Sequence, residues 1–309
     1  EELILKYANE NDQSYRYSWG LKDGTGGDEL FLGSDFRMPS AGGALYHESN
    51  YTLGRWRFTA GLRFDFEHAR LRYRNYTDTW YTKTHIKNET AYERPIDIDD
   101  RSTLKQTFTE LLPKFSVMYS FDETRNLYLT IAKGYKSGGF NTQIFSDVLQ
   151  QKMMNRMGIG EVYDVQRGVA YKPEYSWNYE IGGHFSCMEG AVRGDFALFY
   201  IDCRDQQLTV FPPGQTTGRM MTNAGRTRSL GAEAAVQISP WRTFDINLAY
   251  GYTDARFVRY ETTVKNDDGD PVRISYKDNR IPYAPQHTLS AGAAWTVPTG
   301  VKWLGDLVF

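Results

Sequence analysis

What this chain lacks narrows its possibilities first. No apolar run approaches about 18 residues, so there is no transmembrane helix. Glu1 is neither an initiator methionine nor the start of a charged, apolar and small-residue leader, so an internal piece of a longer protein is expected. Cysteine is nearly absent, with only Cys187 and Cys203. If the stretch from Ala191 to Asp202 is one strand, these two sit near its opposite ends, tens of ångströms apart at about 3.3 Å per residue. A disulfide needs Cα atoms within about 7 Å, so two free thiols are expected. The histidines, His47, His68, His85, His184 and His287, are isolated, and none stands in a metal-ligand spacing or beside a glycine-flanked serine. Catalysis therefore finds no support. The net charge of -2, with Lys and Arg scattered, excludes a basic nucleic-acid surface. The acidic runs Asp97, Asp99, Asp100 and Asp267, Asp268, Asp270 lack the glycine and terminal Glu of an EF-hand and read as solvated loop tips.

What is present is alternation. In Trp56 to Phe66, WRFTAGLRFDF, the residues Trp56, Phe58, Ala60, Leu62, Phe64 and Phe66 are apolar, while Arg57, Thr59, Gly61, Arg63 and Asp65 are polar or small. A pleated backbone sends these sets to opposite faces, which predicts a two-faced strand about 11 residues long, enough to cross a bilayer when tilted. The pattern returns at Phe244, Ile246, Leu248, Tyr250 and Tyr252, at Leu289 to Val297, at Ala232 to Ile238 and at Tyr179 to Phe185. Strands are predicted over 3–9, 15–21, 45–53, 55–73, 103–120, 125–140, 175–186, 190–211, 219–238, 243–260, 286–297 and 302–309, roughly twelve in all, and no helix is needed. A mean hydropathy of -0.57 does not oppose a membrane location, because alternating strands carry a weak hydropathy signal.

The connections alternate as strictly as the strands. Tight turns are predicted near Asn11, Gly54, Asp122, Met188, Pro240 and Pro298, and polar loops at 22–44, 74–102, 141–174, 212–218 and 261–285. Short turns at one rim and long loops at the other describe an up-and-down barrel in an outer membrane. Trp56, Phe121, Phe185, Trp241, Trp295 and Trp303 all fall near predicted tight turns, where an aromatic girdle would meet the lipid interface. The fold class expected is an all-β, transmembrane, antiparallel up-and-down β-barrel.

One segment stands out for identity as well as pattern: NLYLTIAKGYKSGGFN, Asn126 to Asn141. It resembles the barrel strand of TonB-dependent outer-membrane receptors that ends in GYxxGGFN. TELLPKFSVMYSF before it, then KPEYSWNYEIG, FALFYIDCRDQQLTVF, TNAGRTRSLGAEAAV and APQHTLSAGAAW after it, are similar to that family's successive strands. The residues carrying the resemblance are Gly134, Tyr135, Gly138, Gly139, Phe140, Asn141, Pro173, Glu174, Asn178, Glu180, Asn223 and Gly225. Their expected role is structural. Glycines let the backbone bend or approach another element, and no following helix supports a phosphate cradle at Gly138 and Gly139. Asn178 and Glu180 alternate with Tyr179 and Ile181, so they should face the lumen and pair with each other, with water or with a plug; His184 should be a hydrogen-bonded lumen residue.

The resemblance implies a fragment of a barrel of about 22 strands around a plugged lumen. It also implies import of a scarce nutrient, foremost a ferric siderophore, with haem, cobalamin or a glycan as other cargoes. Implied partners are the TonB energising complex, acting through a plug that lies outside this chain, the outer-membrane lipid and the nutrient chelate; no cofactor is implied. All of 1–309 is expected to be part of one barrel domain, without the plug and without terminal strands. With two open edges, it should not fold stably or transport alone. A ligand-contacting set would come from long-loop residues at the mouth, where aromatic and cationic groups grip a bulky chelate: Trp80, Tyr81, Arg94, Tyr163 and Arg167, unless these are plain exposed loop residues. Two readings of other classes stay open. A passive porin or adhesin-like barrel would have no plug ahead of its strands, and a soluble enzyme or β-propeller would show regular repeats, whereas the recurrence here is irregular.

Overall fold

The computed structural model describes residues 4–5, 14–21, 30–159, 165–210, 220–265, 271–299 and 305–308. Strands β1 (Ile4–Leu5), β2 (Tyr15–Trp19), β3 (Gly33–Arg37) and β4 (Ser40–Leu53) precede β5 (Trp56–His85) and β6 (Ala91–Ser120), each of the last two 30 residues long. β7 (Asn126–Lys136) and β8 (Gly139–Phe140) lead to helices α1 (Phe145–Arg156) and α2 (Val165–Val169). Then come β9 (Ala170–Tyr171), β10 (Glu174–Cys187), β11 (Val192–Val210), β12 (Met220–Trp241), β13 (Phe244–Arg259), β14 (Glu261–Lys265), β15 (Pro271–Ser275), β16 (His287–Pro298) and β17 (Asp306–Val308).

Thirteen strands form one antiparallel sheet in the order β1-β2-β5-β6-β7-β10-β11-β12-β13-β16-β17, with β3 and β4 also on β5. One edge of β5 is therefore shared end to end: β4 pairs with Trp56–Ala69, β3 with Arg72–Tyr76 and β2 with Tyr81–His85. The all-β antiparallel architecture agrees with the alternation that predicted it.

Register fixes which side chains share a face. Phe58, Phe64 and Phe66 stand opposite Val117, Leu111 and Thr109 of β6, and Tyr51 and Leu45 of β4 lie across from Phe58 and Phe64. The apolar face continues through Leu129, Ile181, Leu198, Leu230, Leu248 and Leu289. These side chains are exposed: Phe64 is 46% accessible, Leu198 54% and Leu289 78%. A continuous apolar band of this extent is what water does not tolerate and lipid covers. Trp56, Phe121, Trp241 and Trp295 lie exposed at its turn end, where Trp56 stacks on Phe58 with ring centroids 6.4 Å apart and Trp241 meets Phe244 at 6.0 Å. Phe185 is half-buried, and Trp303 lies outside the described residues.

The short turns gather at that end. Leu53 pairs with Trp56 across Gly54 and Arg55, and Gly54 takes φ 58°, which a residue without Cβ adopts freely. Met188–Gly190 form a single 3-10 turn, and Trp241 pairs with Phe244 just past a bulge that contains Pro240, where a missing N–H breaks no ladder bond. The predicted turn near Asn11 and the loop at 212–218 lie outside the described residues. Cys187 and Cys203 are both free; Cys187 pairs with Val192 and Cys203 with Ser176, eleven residues up β10, or about 36 Å.

Three expectations need correction at the other end, the first being the loop at 22–44, within which β3 and the start of β4 ladder on β5. The segment 74–102 is not a loop: β5 and β6 continue in register from Trp56↔Tyr119 to Thr84↔Ala91 and turn only at 86–90. Beyond Phe66 the outward face turns polar and charged while the inward face mixes Leu71, Tyr73, Ile96 and Ile98 with polar residues, so the ladder persists while the alternation fades. The expectation of no helix also fails, since α1 and α2 occupy the connection from β7 to β10. Within 261–285, β14 and β15 make a separate hairpin.

The turn from β6 to β7 is closed by Asp122. One of its oxygens accepts the Thr124 N–H (2.9 Å) and hydroxyl (2.8 Å), and the other accepts the Arg125 Nε–H (2.7 Å). Arg125 first, then Thr124, holds its carboxyl well below the usual carboxylate range. Because the folded pKa is depressed, the contribution of this turn is complete above the ordinary range and fades only as pH falls through the lowered value. Asp122 should stay ionised where an ordinary aspartate, near about 3.9, takes up its proton. A carboxyl-carbon NMR titration of the folded barrel checks this, and a midpoint at the ordinary value would count against the turn.

Candidate functional site

The polar face of the sheet carries the residues that the motif singles out. On β10, Glu180 accepts the Tyr128 hydroxyl at 2.8 Å and the Asn178 amide at 3.4 Å. His184 pairs with Asp195 across β10 and β11. Lys114 meets Glu48 at 3.2 Å, and Arg63 meets Asp65 at 2.7 Å. Beyond Ala132, β7 parts from β6, and Lys133 reaches back to Glu110 at 2.9 Å. Tyr135, its ring 6.0 Å from that of Tyr175, has a buried hydroxyl without a hydrogen-bond partner, as does the Asn178 side-chain oxygen.

The glycine-rich end of β7 turns the chain inward over this face. β8 pairs with β9, and a Cβ on Gly138 would collide with the Tyr171 carbonyl oxygen, so only glycine allows the approach. The Gln106 amide donates to the Gly139 carbonyl at 2.6 Å. Asn141 then acts as a substitute ladder residue: its side-chain oxygen accepts the Met221 N–H (2.6 Å) and its amide donates to the Met221 carbonyl (2.9 Å). Asn223 does the same for Lys172, accepting its N–H at 2.8 Å and donating to its carbonyl at 2.9 Å. Glu174 accepts the Gln207 N–H at 2.8 Å, and the Gln207 side chain donates to the Ser137 carbonyl at 2.8 Å. Gly134 lies opposite Ser176, Gly225 lies against the Arg259 backbone, Phe140 packs near Leu71 and Tyr73, and Pro173 stands just ahead of β10. The motif thus converges on a junction that clips both ends of the 137–174 excursion to β11 and β12.

Between those clips, α1 lies on the polar-face side of the extended β5–β6 hairpin. Phe145 and Val148 bury against Leu71 and Tyr73, while Leu149, Met153 and Met157 bury against Tyr17, Ile96 and Ile98. Asn75, fully buried, donates to the Phe145 carbonyl at 3.2 Å and accepts the Ser34 hydroxyl at 2.7 Å, and Lys152 pairs with Asp100. The helix therefore covers the mouth side of the sheet. Its spacing, apolar at Phe145, Val148, Leu149 and Met153, is a helical signal that the sequence reading passed over.

The ligand candidates are divided. Tyr81 and Arg94 face each other across β5 and β6 on the side that holds α1, with Tyr81 packed 6.3 Å from Tyr17 and Arg94 exposed. Trp80 points to the opposite face. Arg167 falls in α2, and Tyr163 lies outside the described residues. The acidic run on β6 is engaged: Arg101 and Arg74 both donate to Asp99, at 2.9–3.0 Å, and hold its carboxyl well below the usual range. Asp267, Asp268 and Asp270 lie outside the described residues, and no cluster of potential metal ligands occurs among those described.

An exposed apolar band over short turns, a polar inner face and long opposite connections are the features of an outer-membrane β-barrel. The chain belongs to the TonB-dependent receptor-like β-barrel family, whose model matches residues 5–308. It is 26% identical over 197 residues to the pesticin receptor of Yersinia enterocolitica, a stretch covering 63% of this chain and 24% of that protein. Similar solved structures include the ferric yersiniabactin uptake receptor FyuA of Yersinia pestis (18% identity, 95% of this chain and 40% of that one, TM-score 0.42). The siderophore receptor PiuA of Acinetobacter baumannii is another (11% identity, 91% and 49%, TM-score 0.49). The chain matches about a quarter of the length of its curated relative.

If Asn141 clips the excursion, Asn141→Ala leaves the Met221 N–H and carbonyl unpaired at a cost of about 1–3 kcal/mol. Met153→Ala, which empties a fully buried site, costs about 2–5 kcal/mol. Both should speed proteolysis within 142–170 in detergent while leaving the rest of the barrel intact, and equal cleavage rates in parent and variants would contradict the assignment.

Proposed function

We propose that this chain is the barrel portion of an active importer energised through TonB, and that its cargo is a ferric siderophore. The observation that supports the reading most is the family match along nearly the whole chain, on a sheet whose polar inner face is overlaid by a clipped helical segment. A passage lined by paired polar groups and covered on the mouth side suits capture of a bulky polar chelate better than open diffusion. Tyr81 and Arg94, on one rung beside α1, supply an aromatic face and a fixed positive charge toward an anionic chelate.

Growth under iron limitation, with and without the full-length gene, tests the cargo. Deletion should abolish siderophore-dependent growth, and the intact gene should restore it; an unchanged iron response with loss of growth on cobalamin or a glycan would overturn the siderophore assignment. Arg94→Ala should weaken uptake at limiting chelate by about tenfold, the scale of one lost charged hydrogen bond, with little change in barrel assembly. Uptake equal to that of the parent would remove Arg94 from the site.

A further inference from the structure

The outward face of β3, β5 and β6 changes character directly above the apolar band. Phe66, opposite Thr109, ends the continuous apolar run on that face of β5, and Tyr76 and Trp80 stand higher on it. The following rungs, read from the register, set His68 beside Thr107, Arg70 beside Lys105, Arg72 between Arg37 and Thr103, and Arg74 between Asp35 and Arg101. Higher still, Asp78 stands opposite Asp97. Cations are thus concentrated next to the lipid band and carboxylates farther out.

Three successive rungs place like charges directly opposite each other, an arrangement that destabilises a sheet. The outermost is relieved, because Asp99 binds both Arg74 and Arg101. The two nearer the band are not: Arg37, Arg70, Arg72 and Lys105 are exposed, and none forms an ion pair with an acidic side chain among the described residues. Arg70 donates only to His68, at 2.8 Å. On the far side of the sheet the comparable belt has carboxylates among its cations, with Arg226 on Asp202 at 2.5 Å and Arg256 on Asp254 at 2.8 Å. The β3–β5–β6 sector thus holds four cations, on two adjoining rungs, with no carboxylate partner among the described residues.

We propose that Arg37, Arg70, Arg72 and Lys105 form a docking site for the phosphate groups of an outer-leaflet lipid. These residues lie four to six positions beyond Phe66, their backbone roughly 10–15 Å above it after strand tilt, just past a headgroup layer about 5–8 Å deep that their long side chains reach back into. Their long apolar stems can lie along the band while the charged ends meet phosphate. Continuity with the lipid-facing surface, on the same strands and the same face, separates this site from one for a soluble anion. The proposal depends on the membrane orientation of the sheet and not on which cargo it imports.

The test is lipid binding to the full-length receptor in detergent, measured by native mass spectrometry with diphosphoryl lipid A, phosphatidylcholine and inorganic phosphate as probes. Diphosphoryl lipid A should bind in preference to phosphatidylcholine, and salt should weaken it. The fourfold variant R37Q/R70Q/R72Q/K105Q should bind it at least about tenfold more weakly and R72Q alone about fivefold, the scale of one basic residue near an anionic surface. R55Q/R242Q, at the turn end, should match the parent. Should the fourfold variant fail to fold, as judged by heat-modifiable mobility, R72Q decides. Undiminished lipid binding in the folded variants overturns the proposal, and so does full displacement of the lipid by inorganic phosphate.

Discussion

A peptide group in hydrocarbon has no water to bond, so every N–H and C=O at membrane depth must find its partner in a neighbouring strand. The rest of this structure depends on that constraint. It accounts for ladders that run unbroken through the apolar band, from Trp56↔Tyr119 upward in one hairpin and from Val192↔Ile238 upward in another. It also accounts for where irregularity is allowed. The register shifts of β12 fall at Ile238/Trp241 and Arg226/Thr227, at the two ends of its apolar stretch, and both helices lie on the loop side.

Chain that leaves the ladder must be satisfied by other means, and the family motif serves this purpose. Asn141 and Asn223 each present an amide that pairs with a backbone N–H and C=O as another strand would. Gln106 and Gln207 take up further carbonyls of the excursion. Residue types that elsewhere suggest catalysis or ligand binding here complete a backbone hydrogen-bond network, and the helix they hold buries its own apolar side against Leu71, Ile96 and Ile98. The segment is thus tied at its ends to β11 and β12 and packed by side chains between them.

The sequence was most legible where the two faces of a strand meet different media. Trp56 to Phe66 declared itself because lipid and lumen impose opposite chemistry on neighbouring residues. From His68 upward the outward set turns polar and charged and the inward set mixes apolar and polar residues under α1, so β5 and β6 read as a loop although their register continues. That is why Trp80 and Tyr81, adjacent in sequence, were grouped as one surface when the pleat sends them apart. The helical spacing of α1 was visible at Phe145, Val148, Leu149 and Met153 but diluted by Ser, Gln and Asn. Asn141 stood out as a motif residue, yet its partner Met221 lies 80 positions away, beyond what local pattern can reveal.

β5 is also the common support of the strands before it. Among the described residues β3 and β4 ladder only with β5, and β2 reaches the main sheet only through it. Three segments earlier in the sequence therefore depend on a later one, and β2 pairs with its far end, at Tyr81–His85. A substitution that breaks the β5 ladder therefore strips β2, β3 and β4 of their shared partner at once.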